Sequence, residues 1–587
     1  MGITNILSLI GGVALFLFGM SVMGDALEKS AGSQLKTMLG KMTSNPLKGF
    51  VLGAVVTAII QSSSATTVMM VGFVNSGVMS LASVIPIIMG ANVGTTITSW
   101  ILSLSGISGD SLLLTMLKPT SFTPILAAIG AILYLFVKNS KKRDTGLILL
   151  GFSVLIFGMD YMTEAVKPLA DIPEFGEILL LFKNPFFGVL AGAVLTAIIQ
   201  SSSASVGILQ ALSATGAVTF GAAIPIILGQ NIGTCVTAII SSVGANKNAK
   251  RVSVVHLSFN VIGATLVMAI FYTLQAIIGF SFVDELVDHT GIALVHTAFN
   301  VFCTICLLPF AKQFEKLACF LVKDKKGVSE KTALFDDRLL GTPSIAIERC
   351  RKVAVTMAEI ARNSLKKSFR LLDDFDKKIF EEIQTEEDTV DIYEDEIGSY
   401  LMKITHCDLS EKDSLEVTKL FHMIGDLERL SDHAVNIAES ADEMREKKVA
   451  FSAEAQKEIR IMISAVSEIM DHAYASFAEN SMEMAVRVEP LEEVIDTLQT
   501  EIRLHHIDRL KRGDCTIELG FILSDLLTNL ERISDHCSNI AGCVIEIAHH
   551  SLGMHSYAEG LRRGNVTYDG YFEEYSEKYS LSSKSKP

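Results

Sequence analysis

The nine residues Thr57-Ala58-Ile59-Ile60-Gln61-Ser62-Ser63-Ser64-Ala65 recur without change as Thr196-Ala197-Ile198-Ile199-Gln200-Ser201-Ser202-Ser203-Ala204, at an offset of 139. Around both copies the same offset pairs further stretches, among them Gly90-Ala-Asn-Val-Gly-Thr95 with Gly229-Gln-Asn-Ile-Gly-Thr234. No gap is needed across about 80 residues, so the chain contains an internal duplication. The unit is too long for a solenoid repeat, and its apolar content predicts a membrane protein built from two halves.

Charge divides the chain into two parts. Residues 1–310 hold 14 Lys+Arg and 12 Asp+Glu, whereas residues 311–587 hold 36 and 53. No charged residue occurs between Gly49 and Gly109 or between Asn184 and Asn246. Since a spanning helix needs ~20 apolar residues, each window has room for two or three crossings or for hairpins that dip in and return. The remaining candidate spans are Asn5–Gly24, Pro119–Val137, Thr145–Met159, Val252–Phe282 and Gly291–Phe310.

Basic residues in short loops predict the orientation of the halves. The segment 25–48 has four lysines against two acidic residues, whereas its repeat partner 164–187 has two lysines against four acidic residues. Cytoplasmic loops are enriched in Lys and Arg, so the two halves are expected to insert in opposite orientations. Five lysines between 312 and 326 place the part that follows in the cytoplasm.

The Gln-Ser-Ser-Ser stretches are expected to interrupt helices. Four consecutive polar residues at membrane depth need internal partners, and broken helices offer free N–H groups to an anion and free carbonyls to a cation. The alternative is that these small residues only pack helices closely. Asn92 with Thr95, and Asn231 with Thr234, form a second symmetric pair of polar clusters, for which a packing role is equally open.

Two histidines precede an asparagine by four residues, as His256–Asn260 and His296–Asn300. Each pair shares one helix face. They are interpreted as buried hydrogen-bonding pairs, with the lining of a pathway as the alternative.

The acidic part is also duplicated. Asp426 to Ala438 recurs as Asn529 to Ala541, and the pair Glu387/Asp391 recurs as Glu492/Asp496. Long amphipathic helices are predicted from about Ser344, so residues four apart share a face. The resulting carboxylates are candidate ligands for divalent metal ions, with solvated or arginine-paired faces as the alternative; they are Glu387, Asp391, Glu428, Asp432, Glu492, Asp496, Glu531 and Asp535.

The doubled Gln-Ser-Ser-Ser with Gly-x-Asn-x-Gly-Thr resembles the type II sodium-dependent phosphate cotransporter family, over roughly residues 1–310. Residues 344–550, with their doubled Glu-Arg-x-x-Asp-x-x-x-Asn, resemble the phosphate-uptake regulator (PhoU) family, whose members are paired three-helix bundles. The resemblance implies an all-α bacterial membrane transporter with two inverted-topology repeats and a soluble PhoU-like domain. It implies a symporter that imports inorganic phosphate with Na⁺ across the inner (cytoplasmic) membrane, under control of the cytoplasmic domain.

Carried over by motif, the candidate substrate and sodium residues are Gln61, Ser62, Ser63, Ser64, Thr66, Gln200, Ser201, Ser202 and Ser203, with Asn92, Thr95, Asn231 and Thr234 added from the second polar clusters. The PhoU resemblance also implies iron, zinc or another divalent metal at the carboxylates. Expected partners are phosphate, Na⁺ and the lipid bilayer, without nucleic acid, and a homodimer is left open. Two alternatives are a metal-binding membrane phosphate sensor and an exporter or carrier of another oxyanion. No nucleophile or phosphate-cradling loop accompanies the carboxylates, so an enzyme is not expected.

The predicted domains are membrane repeat 1 (1–137), membrane repeat 2 with the following helices (138–310), a linker (311–343), the PhoU-like domain (344–550) and a flexible tail (551–587).

Overall fold

The computed structural model describes residues 3–40, 45–106, 119–172, 177, 179–323, 334–549 and 566–581. Over these residues the regular structure is helical apart from one isolated β-bridge between Thr219 and Leu286, which confirms the all-α prediction. The chain forms two compact units, Met1–Ile345 and Ala346–Pro587, here called the membrane unit and the helical domain.

The membrane unit contains thirteen described α-helices. They are α1 (Ile3–Gly40), α2 (Pro46–Ile60), α3 (Ser63–Asn75), α4 (Leu81–Ser103), α5 (Pro119–Phe136), α6 (Ser140–Val166), α7 (Pro185–Ile199), α8 (Ser202–Ser213), α9 (Phe220–Gly233), α10 (Cys235–Ser241), α11 (Lys247–Ile278), α12 (His289–Leu307) and α13 (Ala311–Leu321).

Six helical segments among the described residues are long and apolar enough to cross a membrane: Ile3–Ala31, Leu81–Gly106, Ser140–Leu169, Phe220–Ser241, Lys247–Ile278 and His289–Leu321. Three shorter apolar helices, Pro46–Ile60, Ser121–Phe136 and Pro185–Ile199, accompany them. This confirms the predicted polytopic membrane part. Each charge-free window, predicted to hold two or three crossings or hairpins, contains one long span and one helix that is broken in two, as α2 and α3 or as α7 and α8.

The two repeats begin their broken helices in the same way. Asn45 and Asn184 accept hydrogen bonds from first-turn N–H groups of α2 and α7, and a proline occupies the first helical position of each. Glycines then let α2 approach α4, and α7 approach α9. A Cβ atom on Gly53 would lie 2.0 Å from the carbonyl oxygen of Ile87, and one on Gly192 would lie 2.0 Å from that of Ile226.

Helices α1 and α6 occupy equivalent positions in the two repeats and pack against each other along their length. Gly12 lies against Gly158, and Gly19 lies against Gly151, so the residue number rises along one helix as it falls along the other. The pair is therefore antiparallel, which is the relation expected of oppositely inserted halves. Phe16, Leu155 and Met159 fill the adjoining core.

The helical domain has two successive sets of three long helices. They are α14 (Pro343–Leu371), α15 (Lys377–Thr405) and α16 (Glu411–Lys447), then α17 (Ala453–Glu479), α19 (Val488–Arg512) and α20 (Ile517–His549), with the short α18 (Met482–Ala485) and a final α21 (Val566–Lys578).

The structure differs from the predicted linker and tail. Residues 311–321 form α13, because Phe314 and Ala318 share a buried face, and Asp337–Gly341 form a 3₁₀ turn on the membrane unit. Residues 566–578 form α21, whose Tyr575 is only 1% exposed, because Tyr568, Tyr571 and Tyr575 fall on one helical face. The rest of these two predicted segments, 324–333, 551–565 and 582–587, lies outside the described residues.

Candidate substrate site

Each Gln-Ser-Ser-Ser stretch breaks a helix at its glutamine. Gln61 and Gln200 both adopt φ 60° and ψ 21°, the left-handed region that non-glycine residues rarely occupy. Their backbone N–H groups still reach back to Thr57 and Thr196, at 2.8 and 2.7 Å. Holding a glutamine in this region costs about 1 kcal/mol, and such strain recurs at functional sites. The same strain at both equivalent positions favours a functional break over a packing defect.

A new helix starts immediately after each break. Ser62 caps α3 by accepting from the N–H of Ala65 at 3.1 Å, and Ser201 caps α8 by accepting from Ala204 at 3.2 Å. The first N–H groups of α3 and α8 have no intrahelical partner, and the helix dipole adds partial positive charge there. Each stretch can therefore offer backbone donors to an anion without a basic side chain.

The two breaks meet in space. The hydroxyl of Ser64 donates to the backbone carbonyl oxygen of Gln200 at 3.4 Å, across 136 residues of sequence. This contact brings Ser64 of the first stretch to the start of the second. Ser63, Ser202 and Ser203 are buried beside it, and Ser62, Ser64 and Ser201 are half-buried.

The glutamines differ in their surroundings although their sequences are identical. Gln61 is buried, its Oε1 accepts from Thr98 of α4 at 2.9 Å, and its Nε2 donates to the carbonyl of Ala58. Gln200 is exposed. Thr98 was not predicted as a site residue, because its sequence context does not separate it from other membrane-helix threonines.

A second difference between the repeats concerns the buried threonine and serine hydroxyl groups next to the helix breaks. In the first repeat Thr57 donates to Thr66 at 3.0 Å, and Thr66 also donates to the carbonyl of Ser62 at 3.0 Å. The equivalent hydroxyls of Thr196 and Ser205 are buried and have no hydrogen-bond partner among the described residues. The hydroxyl of Thr237, the equivalent of Thr98, is also unpaired there. The first half-site is thus satisfied by protein groups, and the second is not.

The side chains of the second pair of predicted polar clusters are buried, but their hydrogen-bond partners lie outside the Gln-Ser-Ser-Ser stretches. Asn92 donates to Asn260 at 3.1 Å, and Asn231 donates to the carbonyl of Ile227 at 2.9 Å. Thr95 donates to the carbonyl of Ala91, and Thr234 donates to that of Asn231. The hydrogen bonds do not join these four side chains to the Gln-Ser-Ser-Ser stretches.

Buried polar side chains outside the predicted set form further hydrogen bonds, and the bond from Gln210 to Ser99 joins the two repeats. Gln210 of α8 donates to the carbonyls of Ser99 and His289, and Gln230 of α9 donates to that of Ser205. His296 is fully buried with Nδ1 3.3 Å from the hydroxyl of Ser99. Gln210 and Gln230 replace Val71 and Ala91 of the first repeat, and this departure was a signal that could have identified them.

The predicted His–Asn pairs do not bond side chain to side chain. Asn260 and Asn300 each donate to the backbone carbonyl of the histidine four residues earlier, at 3.0 and 2.9 Å. Both histidines are buried, as the structural interpretation expects.

In the helical domain, three of the eight predicted carboxylates converge. One oxygen each from Glu492, Asp496 and Asp535 lies within 4.8 Å of the others, on α19 and α20. Burial raises the pKa of Asp535, and burial followed by the charge of Asp535 raises the pKa of Glu531. Three carboxylate oxygens at this separation are the donor type that a divalent ion prefers, so these residues fit a metal.

The first copy of the carboxylate motif is more dispersed. Burial and the charges of Asp391 and Asp432 raise the pKa of Glu387. Burial and Asp432 also raise the pKa of Glu428, against the lowering effect of Arg429. Arg429 lies 3.5 Å from carboxylate oxygens of both Glu428 and Asp432, and Arg532 lies 3.6 Å from Asp535. The predicted arginine pairing is therefore present in both copies, alongside the convergent group in the second.

The motif histidines mark the pseudo-symmetric contact between α16 and α20. The Nδ1 of His433 lies 2.8 Å from Oδ1 of Asn529, and that of His536 lies 2.8 Å from Oδ1 of Asp426. Asp426 and Asn529 are equivalent positions of the duplication. The repeated sequence thus builds a reciprocal contact between its own copies.

Comparison with protein families gives two matches. The Na⁺/Pi-cotransporter family matches residues 15–164 and 166–286, and the PhoU domain matches residues 354–441 and 459–544.

Three relatives illustrate the similarity. The uncharacterized protein YqeW of Bacillus subtilis (strain 168) is 32% identical over 316 residues, covering 53% of this chain and 97% of its own length. The candidate inorganic phosphate export protein YjbB of Escherichia coli (strain K12) is 24% identical over 560 residues, covering 94% and 100%. The sodium-dependent phosphate transport protein 2B of Homo sapiens is 35% identical over 112 residues, covering 19% and 16%.

Proposed function

Because this chain belongs to the Na⁺/Pi-cotransporter family and carries a PhoU domain, we propose that it is a secondary active symporter that imports inorganic phosphate with Na⁺. The observation that carries the proposal is the contact between Ser64 and the carbonyl of Gln200, which unites the two strained breaks at one place. The residues proposed to bind the substrates are those of the two Gln-Ser-Ser-Ser stretches, together with Thr66.

Charge balance supports the role of sodium. No Lys or Arg occurs in the windows around either stretch, so a phosphate ion there is held without a fixed cation. An uncompensated anion at membrane depth is very costly. Free N–H groups and serine hydroxyls can donate to phosphate oxygens, while carbonyl and hydroxyl oxygens can coordinate Na⁺. Co-bound Na⁺ would offset the remaining charge, which makes sodium dependence part of the binding mechanism.

The unequal half-sites support alternating access. Gln61 is buried and bonded to Thr98, whereas Gln200 is exposed and the hydroxyls of Thr196, Ser205 and Thr237 are unpaired among the described residues. Two half-sites that share one nine-residue sequence but have unequal surroundings can exchange these surroundings during transport. In the proposed cycle, one half-site closes on its own protein groups while the other is open to ligand.

Phosphate export is a second candidate, and one observation favours it. The name of YjbB describes export, and that relative matches 94% of this chain and all of its own length. The same site could serve either direction, because the driving gradients set the net flux of a secondary transporter.

The helical domain is proposed to be cytoplasmic and to regulate transport. Glu492, Asp496 and Asp535, with Glu531 beside them, are the proposed metal ligands. A bound divalent ion would neutralise this crowded group and hold α19 to α20. Removing residues 344–587 is expected to leave flux in place but to change its control.

The test is flux of radiolabelled phosphate in proteoliposomes that contain the full chain, with an inward, an outward or no Na⁺ gradient. Accumulation that needs the inward Na⁺ gradient supports the symporter, and binding without flux would favour the sensor. Competition by arsenate but not by sulfate would exclude a general oxyanion carrier. Intact cells loaded with labelled phosphate then separate import from export.

A further inference from the structure

A short segment that follows the last membrane helix is held against the membrane unit. We define residues 334–342 as the strap; it contains the 3₁₀ turn Asp337–Gly341 and leads directly into α14 at Pro343. The strap lies between the ranges that match the two families, 166–286 and 354–441.

The first anchor of the strap is Asp336. This carboxylate is 5% exposed, and its Oδ2 accepts from the side-chain N–H of Asn75 at 2.7 Å. Asn75 is the last residue of α3, and its Oδ1 accepts from the N–H of Asn246 at 2.7 Å. Because Asn246 caps the start of α11, Asp336 joins an existing junction between α3 and α11.

The second anchor is Arg338. Its guanidinium pairs with Asp336 at 2.9 Å and donates to the carbonyl oxygens of Ser241 and Val243, the latter at 3.0 Å. These carbonyls lie at the end of α10, in the second repeat. Charge-assisted hydrogen bonds of this kind are about twice as strong as neutral ones.

The third anchor is Leu339, which is fully buried. It packs against Gly72 of α3, where an added Cβ atom would lie 2.9 Å from Leu339 Cδ2. The missing side chain at Gly72 thus leaves the space that Leu339 occupies. Helix α3 carries the Ser62–Thr66 site at its other end, about 9 to 15 Å from Gly72 at 1.5 Å per residue.

We propose that the strap is an inhibitory contact that holds the ends of α3 and α10, one from each repeat, in a fixed arrangement. This inference rests on the proposed function, since it assumes that the repeats move against each other during transport. With the strap docked, α3 cannot shift relative to α10 without breaking the Asp336, Arg338 and Leu339 contacts. Because Thr342 is followed at once by α14, movement of the helical domain can pull the strap from its site.

The first test is the maximal rate of Na⁺-dependent phosphate flux by the full chain in proteoliposomes. Arg338→Ala and Leu339→Ala are each expected to raise this maximal rate about fivefold, which is the low end of the effect that one site has on another in allosteric proteins. The KM for phosphate should not change. Lys183→Ala is the matched control, since it removes an ion pair of 2.8 Å to Asp284 without touching the strap. An unchanged or lowered rate in both strap variants would overturn the proposal.

The second test does not depend on flux. Hydrogen–deuterium exchange of the full chain in detergent is expected to rise at Gly72–Ser76 and at 238–243 together in Arg338→Ala, and at neither in Lys183→Ala. Faster exchange in the strap alone would mean that it does not join the repeats, and would overturn the inference. If the wild-type chain shows no phosphate flux, the proposed function fails, while this measurement still decides whether the strap couples α3 to α10.

Discussion

The hydroxyl of Ser64 lies 3.4 Å from the carbonyl oxygen of Gln200, so the two copies of one nine-residue sequence touch each other at their helix breaks. Each copy alone is a strained glutamine followed by a helix start. Together they place two helix N-termini, with their serine hydroxyls and nearby backbone carbonyls, around one point.

Replacing Gln200 by Leu is expected to lower kcat/KM for Na⁺-driven phosphate flux by about 10- to 100-fold. This factor corresponds to the free energy of one hydrogen bond to a charged group. Gln200 is exposed, so thermal stability should change little. Gln61→Leu should cause a similar loss of flux and also destabilise the fold by about 1 kcal/mol, since it breaks the bond to Thr98. Full uptake by both variants would contradict the site assignment.

Replacing Thr98 by Val removes the donor that holds Gln61 while keeping the side-chain shape. The loss of one neutral hydrogen bond, about 1 kcal/mol, should reduce kcat/KM for phosphate about fivefold. Thr98→Ser should restore the flux because it keeps the hydroxyl. Thr265→Val serves as the control, since Thr265 bonds only along α11 on an exposed face. Equal effects of the two valine variants would argue against a positioning role for Thr98.

The carboxylates of the helical domain predict an unusual pH dependence. The pKa values of Glu387, Glu428, Glu531 and Asp535 are raised mainly by burial. A carboxyl whose folded-state pKa is raised favours folding when protonated, so these groups should add stability as the pH falls from 7 into the range just above the ordinary carboxyl pKa.

This dependence can be measured as the Tm of the metal-free full chain from pH 7 to pH 5. Asp535→Asn should show a smaller rise than wild type, whereas exposed Asp569→Asn should match wild type. An equal rise in wild type and Asp535→Asn would contradict the assignment.

Adding Mn²⁺ or Zn²⁺ at pH 7 is expected to raise the Tm of the wild-type chain, because a cation held by Glu492, Asp496 and Asp535 stabilises the folded state in which they converge. Asp535→Asn should lose most of this increase, and acidification should weaken it in wild type, since protons compete for the ligands. Isothermal titration of both chains gives the affinity directly. Equal metal affinity in the two chains would show that the metal ion binds at other residues.

Helix α21 is expected to stabilise the helical domain. Tyr575 is 1% exposed and its hydroxyl lies 3.1 Å from Nε2 of His472. Tyr575→Ala should lower the free energy of unfolding by about 3 kcal/mol, as for other buried aromatic side chains. Glu573→Ala, on the exposed face of the same helix, should have little effect. Denaturant unfolding compares the two, and equal stability would show that α21 does not contribute to the folded core.

The sequence by itself determined the duplications, the helical class, the membrane spans and the positions of the helix breaks. These depend on local chemistry: charge-free windows set the spans, and Asn45-Pro46 with Asn184-Pro185 set the helix starts. Motif identity was also sufficient to select Gln61, Gln200 and the carboxylates as candidates. It could not separate Gln61 from Gln200, because identical sequences carry no information on unequal surroundings.

Only the tertiary structure decided which groups meet. The Ser64–Gln200 contact, the Thr98–Gln61 bond and the convergence of Asp535 on Glu492 and Asp496 join residues far apart in sequence, and helical periodicity does not fix such pairs. The strap and α21 lie in segments predicted as linker and tail, because segments this short show little periodicity of their own. They acquire fixed structure from the surfaces on which they pack, and those surfaces exist only in the folded chain.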